Sequence, residues 1–141
     1  MYEYSFHKRV RYAETDKMGY LYYGHYAKLY EIGRVETIRS LGVSYKQLED
    51  EHRIMMPVLN MEVRYMLPAY YDEMIEIRSI LHEMPDKLLV FHHELYNEDE
   101  KLINKACIKL MFVDMKLNKR ISCPEILKNT LSPMYNLKGP A

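Results

Sequence analysis

The stretch from Tyr12 to Arg39, YAETDKMGYLYYGHYAKLYEIGRVETIR, decides how the rest of the chain reads. It opens with an acidic turn, Glu14-Thr15-Asp16, followed by breaks at Gly19 and Gly24. Beyond Gly24 the spacing changes: Tyr26, Leu29, Tyr30, Gly33 and Thr37 recur at threes and fours, and Ala27, Val35 and Ile38 widen the stripe. That period predicts a helix over about 24–41, apolar enough around its circumference to be covered on several sides. Gly33 inside an exposed helix would cost about 1 kcal/mol against Ala. Its presence points to close approach of another backbone, or to tolerance supplied by packing. A carboxylate at the mouth of a loop that feeds a helix N-terminus stands beside free backbone N–H groups. Such a pairing suits attack on a carbonyl.

Working outward, residues 2–12 alternate, with Phe6, Val10 and Tyr12 on one face and His7, Arg9 and Arg11 on the other. That predicts a half-buried first strand. Gly42 is a natural helix stop, and Ser44 can cap a short second helix over 45–51. Four strand patterns follow, the last two joined as a hairpin. Met61, Val63, Tyr65 and Leu67 alternate with Glu62, Arg64 and Met66, and Ile75, Ile77 and Leu81 alternate with Glu76 and Arg78. Leu89, Phe91, His93 and Leu95 share a face over 87–96, the polar run 97–100 makes a turn, and Ala106, Ile108, Leu110 and Phe112 share a face over 102–113. The tail from 117 to 141 contains Pro124 and Pro133, with room for one short helix near 125–129 before it frays. A strand, a long helix and an antiparallel meander make an α+β layer, in which a curved sheet wraps the helix. The expectation is one domain over 1–141, whose mixed outer sheet face meets a partner subunit.

Composition narrows the function. Twenty basic and twenty acidic residues cancel, which argues against nucleic-acid or anionic-membrane binding by bulk charge. Cys107 and Cys123 match no metal or redox spacing, and no zinc-protease helix motif or phosphate-binding loop is present. His92 and His93 on one strand point to opposite faces and cannot jointly hold a metal. No metal and no cofactor are expected. The N-terminus is not a signal peptide, and no apolar run approaches the roughly 20 residues of a membrane span. The default location is cytoplasmic.

From Arg11 to Glu36 the chain resembles the hotdog-fold acyl-CoA thioesterases, in particular the 4-hydroxybenzoyl-CoA thioesterase family and its bacterial short-chain relatives. Tyr12, Thr15, Asp16, Gly19, Tyr22, Tyr23 and Tyr26 stand in the places of the family pattern Y-x-x-T-D-x-x-G-x-x-Y-[YH]-x-x-Y. The segment RYMLPAYYDE, Arg64 to Glu73, is similar to the family's strand and turn after the central helix. The resemblance implies a hotdog fold and hydrolysis of an acyl-CoA or acyl-carrier-protein thioester. It makes Asp16 the nucleophile or general base and the backbone amide of Tyr23 the donor to the carbonyl oxygen. Where some relatives carry histidine this chain has Tyr23, and His25 is a candidate to compensate. The resemblance further implies a homodimer or homotetramer with the site between subunits, and Pro57, Val58 and Asn60 lining the pocket across that interface.

Each of these residues also has a plainer reading. Asp16 alone would cap a turn before the helix. Tyr12 either orients Asp16 through its hydroxyl or packs in the core. Gly19 and Gly24 are ordinary loop glycines or, for Gly24, a point where a thioester can approach the backbone. Tyr20, Tyr22, Tyr23 and Tyr26 form packing or touch the acyl group. Arg64, Lys116, Lys119 and Arg120 are solvated charges or CoA phosphate partners. Two further functions stand beside hydrolysis: a non-hydrolytic acyl-CoA or acyl-carrier-protein binding module, and a dehydratase, for which the expected histidine motif is missing.

Overall fold

The computed structural model describes residues 1–135; the last part of the expected tail, 136–141, lies outside the described residues. β1 (Tyr2–Arg9) opens the chain with Tyr2, Tyr4 and Phe6 half-buried and Glu3, Ser5 and His7 exposed. It ends sooner than the alternation suggested. The chain winds into a 3-10 turn over Tyr12–Glu14, and Tyr12 swings out to 80% exposure instead of sharing a face with Phe6 and Val10. Glu14 causes this. Its buried carboxylate accepts the Arg11 N–H at 2.7 Å and closes the turn.

A second 3-10 turn, Tyr23–His25, leads into α1 (Tyr26–Ser40), so the predicted helix starts as a tighter coil. α1 buries Tyr26, Leu29, Tyr30, Gly33, Arg34, Thr37 and Ile38, while Ala27, Lys28, Glu31 and Arg39 stay open. Within one chain the helix is therefore covered on one side, not several. At Gly33 the sheet comes so near that a Cβ would stand 2.6 Å from Ser79 Oγ and 2.7 Å from Ile77 Cγ2. Gly42 ends the helix at φ +92°, a conformation that glycine adopts without strain. Ser44 Oγ accepts the Gln47 N–H at 3.0 Å and caps α2 (Tyr45–Asp50).

The remaining strands are β2 (Ile54–Met55), β3 (Val58–Tyr65), β4 (Met74–Leu81), β5 (Leu88–Tyr96), β6 (Leu102–Asp114) and β7 (Lys119–Ile121). β1, β4, β5 and β6 are neighbours in that order, and β6 also pairs with β2, β3 and β7. Every pairing is antiparallel. β3 starts at Val58, so Val58 and Asn60 are strand residues and not the lead-in to one. β2 and β7 are too short to show a period. The tail forms α3 (Glu125–Tyr135), which runs past the expected 129 and carries Pro133 inside it. Burial of Leu127 and Leu131, and a Tyr135 hydroxyl donating to Leu81 O at 2.7 Å, hold the longer helix in place.

Ile75, Ile77 and Leu81 of β4, Leu89, Phe91 and Leu95 of β5, and Ile108, Leu110 and Phe112 of β6 form the sheet's share of one core with Tyr26, Leu29, Tyr30 and Ile38 of α1. An antiparallel sheet curled around a long helix is the hotdog arrangement that the resemblance implies. Among the described residues no helix is long and apolar enough to cross a membrane. Cys107 and Cys123 are free thiols.

Candidate active site

The Asp16 loop is built from short-range bonds. Asp16 Oδ1 accepts the N–H groups of Met18 at 2.9 Å and Tyr20 at 3.2 Å, and Asp16 N–H donates to Tyr20 O at 2.9 Å. Gly19, at φ +80°, donates to Asp16 O at 3.0 Å and turns the chain back. The plain reading of Asp16 as a turn cap is thus correct for one oxygen. Among the described residues Oδ2 makes no hydrogen bond, and the side chain is exposed.

The segment after β3 fixes this loop. Leu21 N–H donates to Ala69 O at 2.7 Å and Tyr71 N–H to Gly19 O at 3.1 Å, while Tyr20 and Tyr70 pair as a single bridge. On its other flank, Tyr22 N–H donates to Glu14 O at 2.9 Å. The loop then enters the Tyr23–His25 turn. His25 N–H returns to Tyr22 O, Tyr26 N–H to Tyr23 O, and the Tyr65 hydroxyl donates to Tyr23 O at 3.3 Å. The N–H groups of Tyr23 and Gly24 find no acceptor among the described residues. They are the leading amides of a coil that continues into α1, where unpaired donors and the helix dipole favour negative charge.

The aromatic residues sort by burial. Tyr26 is 3% exposed and lies edge-on to Tyr65 at 5.1 Å. Burial raises its hydroxyl above the ordinary phenol range against an opposing backbone hydrogen bond at Ala69, and the charges of Tyr65, Glu73 and Asp16 add to the rise. Tyr22 and Tyr23 are exposed, 4.7 Å apart between ring centroids, with the half-buried His25 ring 5.6 Å from Tyr22. A Cβ on Gly24 would meet only the Tyr22 ring. Tyr12 makes no side-chain bond to Asp16; its ring stands edge-on to Tyr71 at 5.7 Å, and its carbonyl accepts from Thr15 Oγ1 at 2.7 Å.

The chain therefore gathers Asp16, Gly19, Tyr22, Tyr23, Gly24, His25 and Tyr26 into one corner. It does not gather Val58 or Asn60. Tyr65, at the end of β3, touches the corner, and Asn60 lies five residues back along the strand, about 17 Å away at ~3.3 Å per residue. Lys119 and Arg120 sit on β7 beside Asp114, at the far end of β6 from Asn104, the partner of Tyr65. Arg64 faces the outer side of the sheet. There, with Glu62, His82, His92, Glu94 and Cys107, it lines a cavity of about 550 Å³ that is separated from this corner by the sheet. His92 and His93 face opposite ways as expected: the His92 ring pairs with His82, and His93 is buried between Tyr30 and Phe91. Among the described residues no cluster of three or more His, Cys, Asp or Glu is placed to hold a metal.

Sequence reasoning passed over two residues of this corner, Tyr65 and Glu14. Tyr65 stood inside the RYMLPAYYDE match and could have been found there. Glu14 gave no signal, because its partners Lys8 and Lys28 are distant in sequence.

The Thioesterase-like superfamily model matches residues 10–131. Acyl-CoA thioester hydrolase YbgC of Escherichia coli O6:H1 is 34% identical over 113 residues, 79% of this chain and 84% of that protein. Acyl-CoA thioesterase YbgC of Haemophilus influenzae is 26% identical, covering 89% of this chain and 91% of that protein. The crystal structure of DHNA-CoA thioesterase from Staphylococcus aureus superposes with a TM-score of 0.86 at 26% identity, over 100% of this chain and 98% of that one. With the hotdog sheet, the Asp16 loop and the helix entry already in place, these matches cover nearly the whole fold, and the chain belongs to the Thioesterase-like superfamily.

Proposed function

We propose that this protein hydrolyses the thioester of an acyl-CoA, releasing a carboxylic acid and CoA, with Asp16 as nucleophile or general base. The observation that carries the reading is one stitched loop that holds both a carboxylate oxygen with no protein partner and two unpaired amides, those of Tyr23 and Gly24. In hydrolysis the C–S bond breaks as a C–O bond forms, so charge builds first on the carbonyl oxygen and then on the departing sulfur. Donors preorganised at the oxygen lower that barrier. As general base, Asp16 takes a proton from water and passes it to the thiolate. As nucleophile, Oδ2 adds to the carbonyl, CoA leaves, and water opens the resulting anhydride. Both routes use the same geometry, and single-turnover hydrolysis in ¹⁸O-water separates them by label retained in Asp16.

Tyr23 O accepts from both Tyr26 N–H and the Tyr65 hydroxyl, which polarises the Tyr23–Gly24 peptide and sharpens the Gly24 N–H as a donor. The oxyanion position is therefore assigned to the Tyr23 amide together with that of Gly24. Tyr12 is assigned to the rim through Tyr71, not to orienting Asp16.

The working unit is assigned as at least a homodimer. Among the described residues β3 pairs with β6 alone, and it carries Val58, Leu59, Met61 and Tyr65, each at least 42% exposed. An open apolar edge strand of this length invites a second strand. Antiparallel pairing of β3 with its own copy would bring Val58 and Asn60 of the partner subunit toward the Tyr65 end, and so toward Tyr23.

Asp16→Asn tests the chemistry. Thiol release from an acyl-CoA panel should fall by about 10²–10⁴-fold while the variant keeps its fold and its CoA-dependent rise in melting temperature. Full activity in that variant would remove Asp16 from the mechanism. Stabilisation by acyl-CoA without turnover in the wild type would instead make the protein a binding module.

A further inference from the structure

Glu14 is a carboxylate the proposed chemistry does not use, yet it is the most heavily bonded side chain next to the site. It is 4% exposed. Oε1 accepts from Lys8 Nζ of β1 at 2.8 Å and from Arg11 N–H at 2.7 Å, and Oε2 accepts from Lys28 Nζ of α1 at 2.9 Å. Its own carbonyl accepts the Tyr22 N–H at 2.9 Å. One residue thus joins β1, the turn ahead of Asp16, the strand-like segment ahead of Tyr23, and the first turn of α1.

We infer that Glu14 and Lys28 are positioning residues that set the spacing between the Asp16 carboxylate and the Tyr23 and Gly24 amides. The inference rests on the thioesterase reading of the same corner. Residues 17–24 contain two glycines and are mostly exposed; buried Leu21 and the 69–71 segment hold the middle of the loop, which leaves the placement of its two ends to other contacts. Glu14 supplies those contacts at both ends. Its backbone closes the 3-10 turn that ends two residues before Asp16, and its carbonyl pins Tyr22 directly before the free amides. Its carboxylate anchors the turn to Lys28, on the helix those amides lead into. Charge-assisted bonds of this kind are shorter and stronger than neutral ones. Placement matters because the attacking oxygen and the oxyanion donors must be right together, and a shift of about 1 Å can cost on the order of 10²-fold in rate.

Glu14 is buried, so its variants put the fold itself at risk, and Lys28 makes the cleaner test because its side chain is 52% exposed. Lys28→Met should lower kcat by about 10²-fold with KM unchanged and melting temperature nearly unchanged. Lys28→Arg, which keeps the charge and a donor, should restore most of the loss. In ¹H–¹⁵N spectra, Lys28→Met should move the amide resonances of Met18, Tyr20, Tyr23 and Gly24. Wild-type kcat in Lys28→Met, a change in KM alone, or equal loss in Lys28→Met and Lys28→Arg would overturn the inference. The spectra keep the two levels apart. If the wild type turns over no acyl-CoA, the thioesterase reading fails, while unmoved loop amides in Lys28→Met show separately that the clamp does not position the loop.

Discussion

Two acidic residues stand two apart in the chain and do opposite things. Glu14 is buried among two ammonium groups and a backbone N–H, whereas Asp16 is exposed with one oxygen unpartnered. Burial by itself would raise the Glu14 carboxyl, but Lys8, the Arg11 N–H and Lys28 outweigh it and bring the group down to about 2. A carboxylate held below its unfolded value adds stability above about pH 4.5, and that stability drains as pH falls toward 2. From the size of the shift it is on the order of 3 kcal/mol. Urea denaturation between pH 5 and pH 2.5 should show this loss in the wild type and a flatter profile in Glu14→Gln. Identical slopes in the wild type and in Glu14→Gln would assign the effect elsewhere. Tyr65 is the other quiet residue. Tyr65→Phe removes only the hydroxyl that polarises the Tyr23–Gly24 peptide, so kcat should fall by up to about tenfold, the worth of one hydrogen bond, with the Gly24 amide resonance displaced. The role of Glu14 was not legible in the sequence, and Tyr65 was marked there only as a member of the RYMLPAYYDE match, without its partner. The motif marked Asp16 and Tyr23 through a local pattern, while Glu14 and Tyr65 act through partners that only the fold brings near.

At the scale of elements, periodicity was a good guide wherever an element was long and packed on one side. α1, β4, β5 and β6 carry patterns of 3.6 or 2 over most of their length, and each stands where its pattern predicts it. It failed where tertiary bonds decide. β1 gives way to a turn because of Glu14, β2 and β7 exist only as partners of β6, and α3 outlasts Pro133 by packing Leu127 and Leu131. Gly33 was legible as an anomaly, and its reason is the β4 and β5 surface beneath it. Gly33→Ala should destabilise the protein by about 1–3 kcal/mol despite its better helix propensity, measured as a lower urea midpoint, because the methyl would displace Ser79 and Ile77. Ser79 Oγ is there hydrogen-bonded to His93 Nδ1 at 2.9 Å. Burial, then the charge of Arg34, then His92, press the His93 imidazole down to about 3. The unfolded chain therefore binds a proton near pH 6.5 that the folded chain refuses. Stability should fall by about 1.4 kcal/mol per pH unit from pH 6.5 downward, before Glu14 begins to titrate. The two ranges overlap below about pH 4.5, but between pH 6.5 and 5 Glu14 does not contribute, and a flat profile there would remove His93 from the account.

For the whole molecule, the question is whether one chain holds a complete site. The corner around Asp16 lies at the Tyr65 end of β3, and the residues that the family resemblance places in the pocket, Val58 and Asn60, lie at the other end of that strand. An isologous pairing of two β3 edges reverses one strand against its copy, so each corner would receive the Val58 end of the other subunit. Charge at the middle of the edge should break that pairing: Met61→Lys should yield a smaller species by sedimentation and lose activity even though Met61 is far along the strand from Asp16. Complementation gives the stricter measurement. Asp16→Asn and Val58→Asp, each inactive alone and each checked by sedimentation to remain a dimer, share no defect across one of the two sites of a mixed dimer. Refolded together at equal concentration, they should recover about one quarter of wild-type activity, since half the dimers are mixed and each has one intact site. If Asp16 and Val58 instead served the same chain's site, every site in the mixture would carry a defect, and no activity would return.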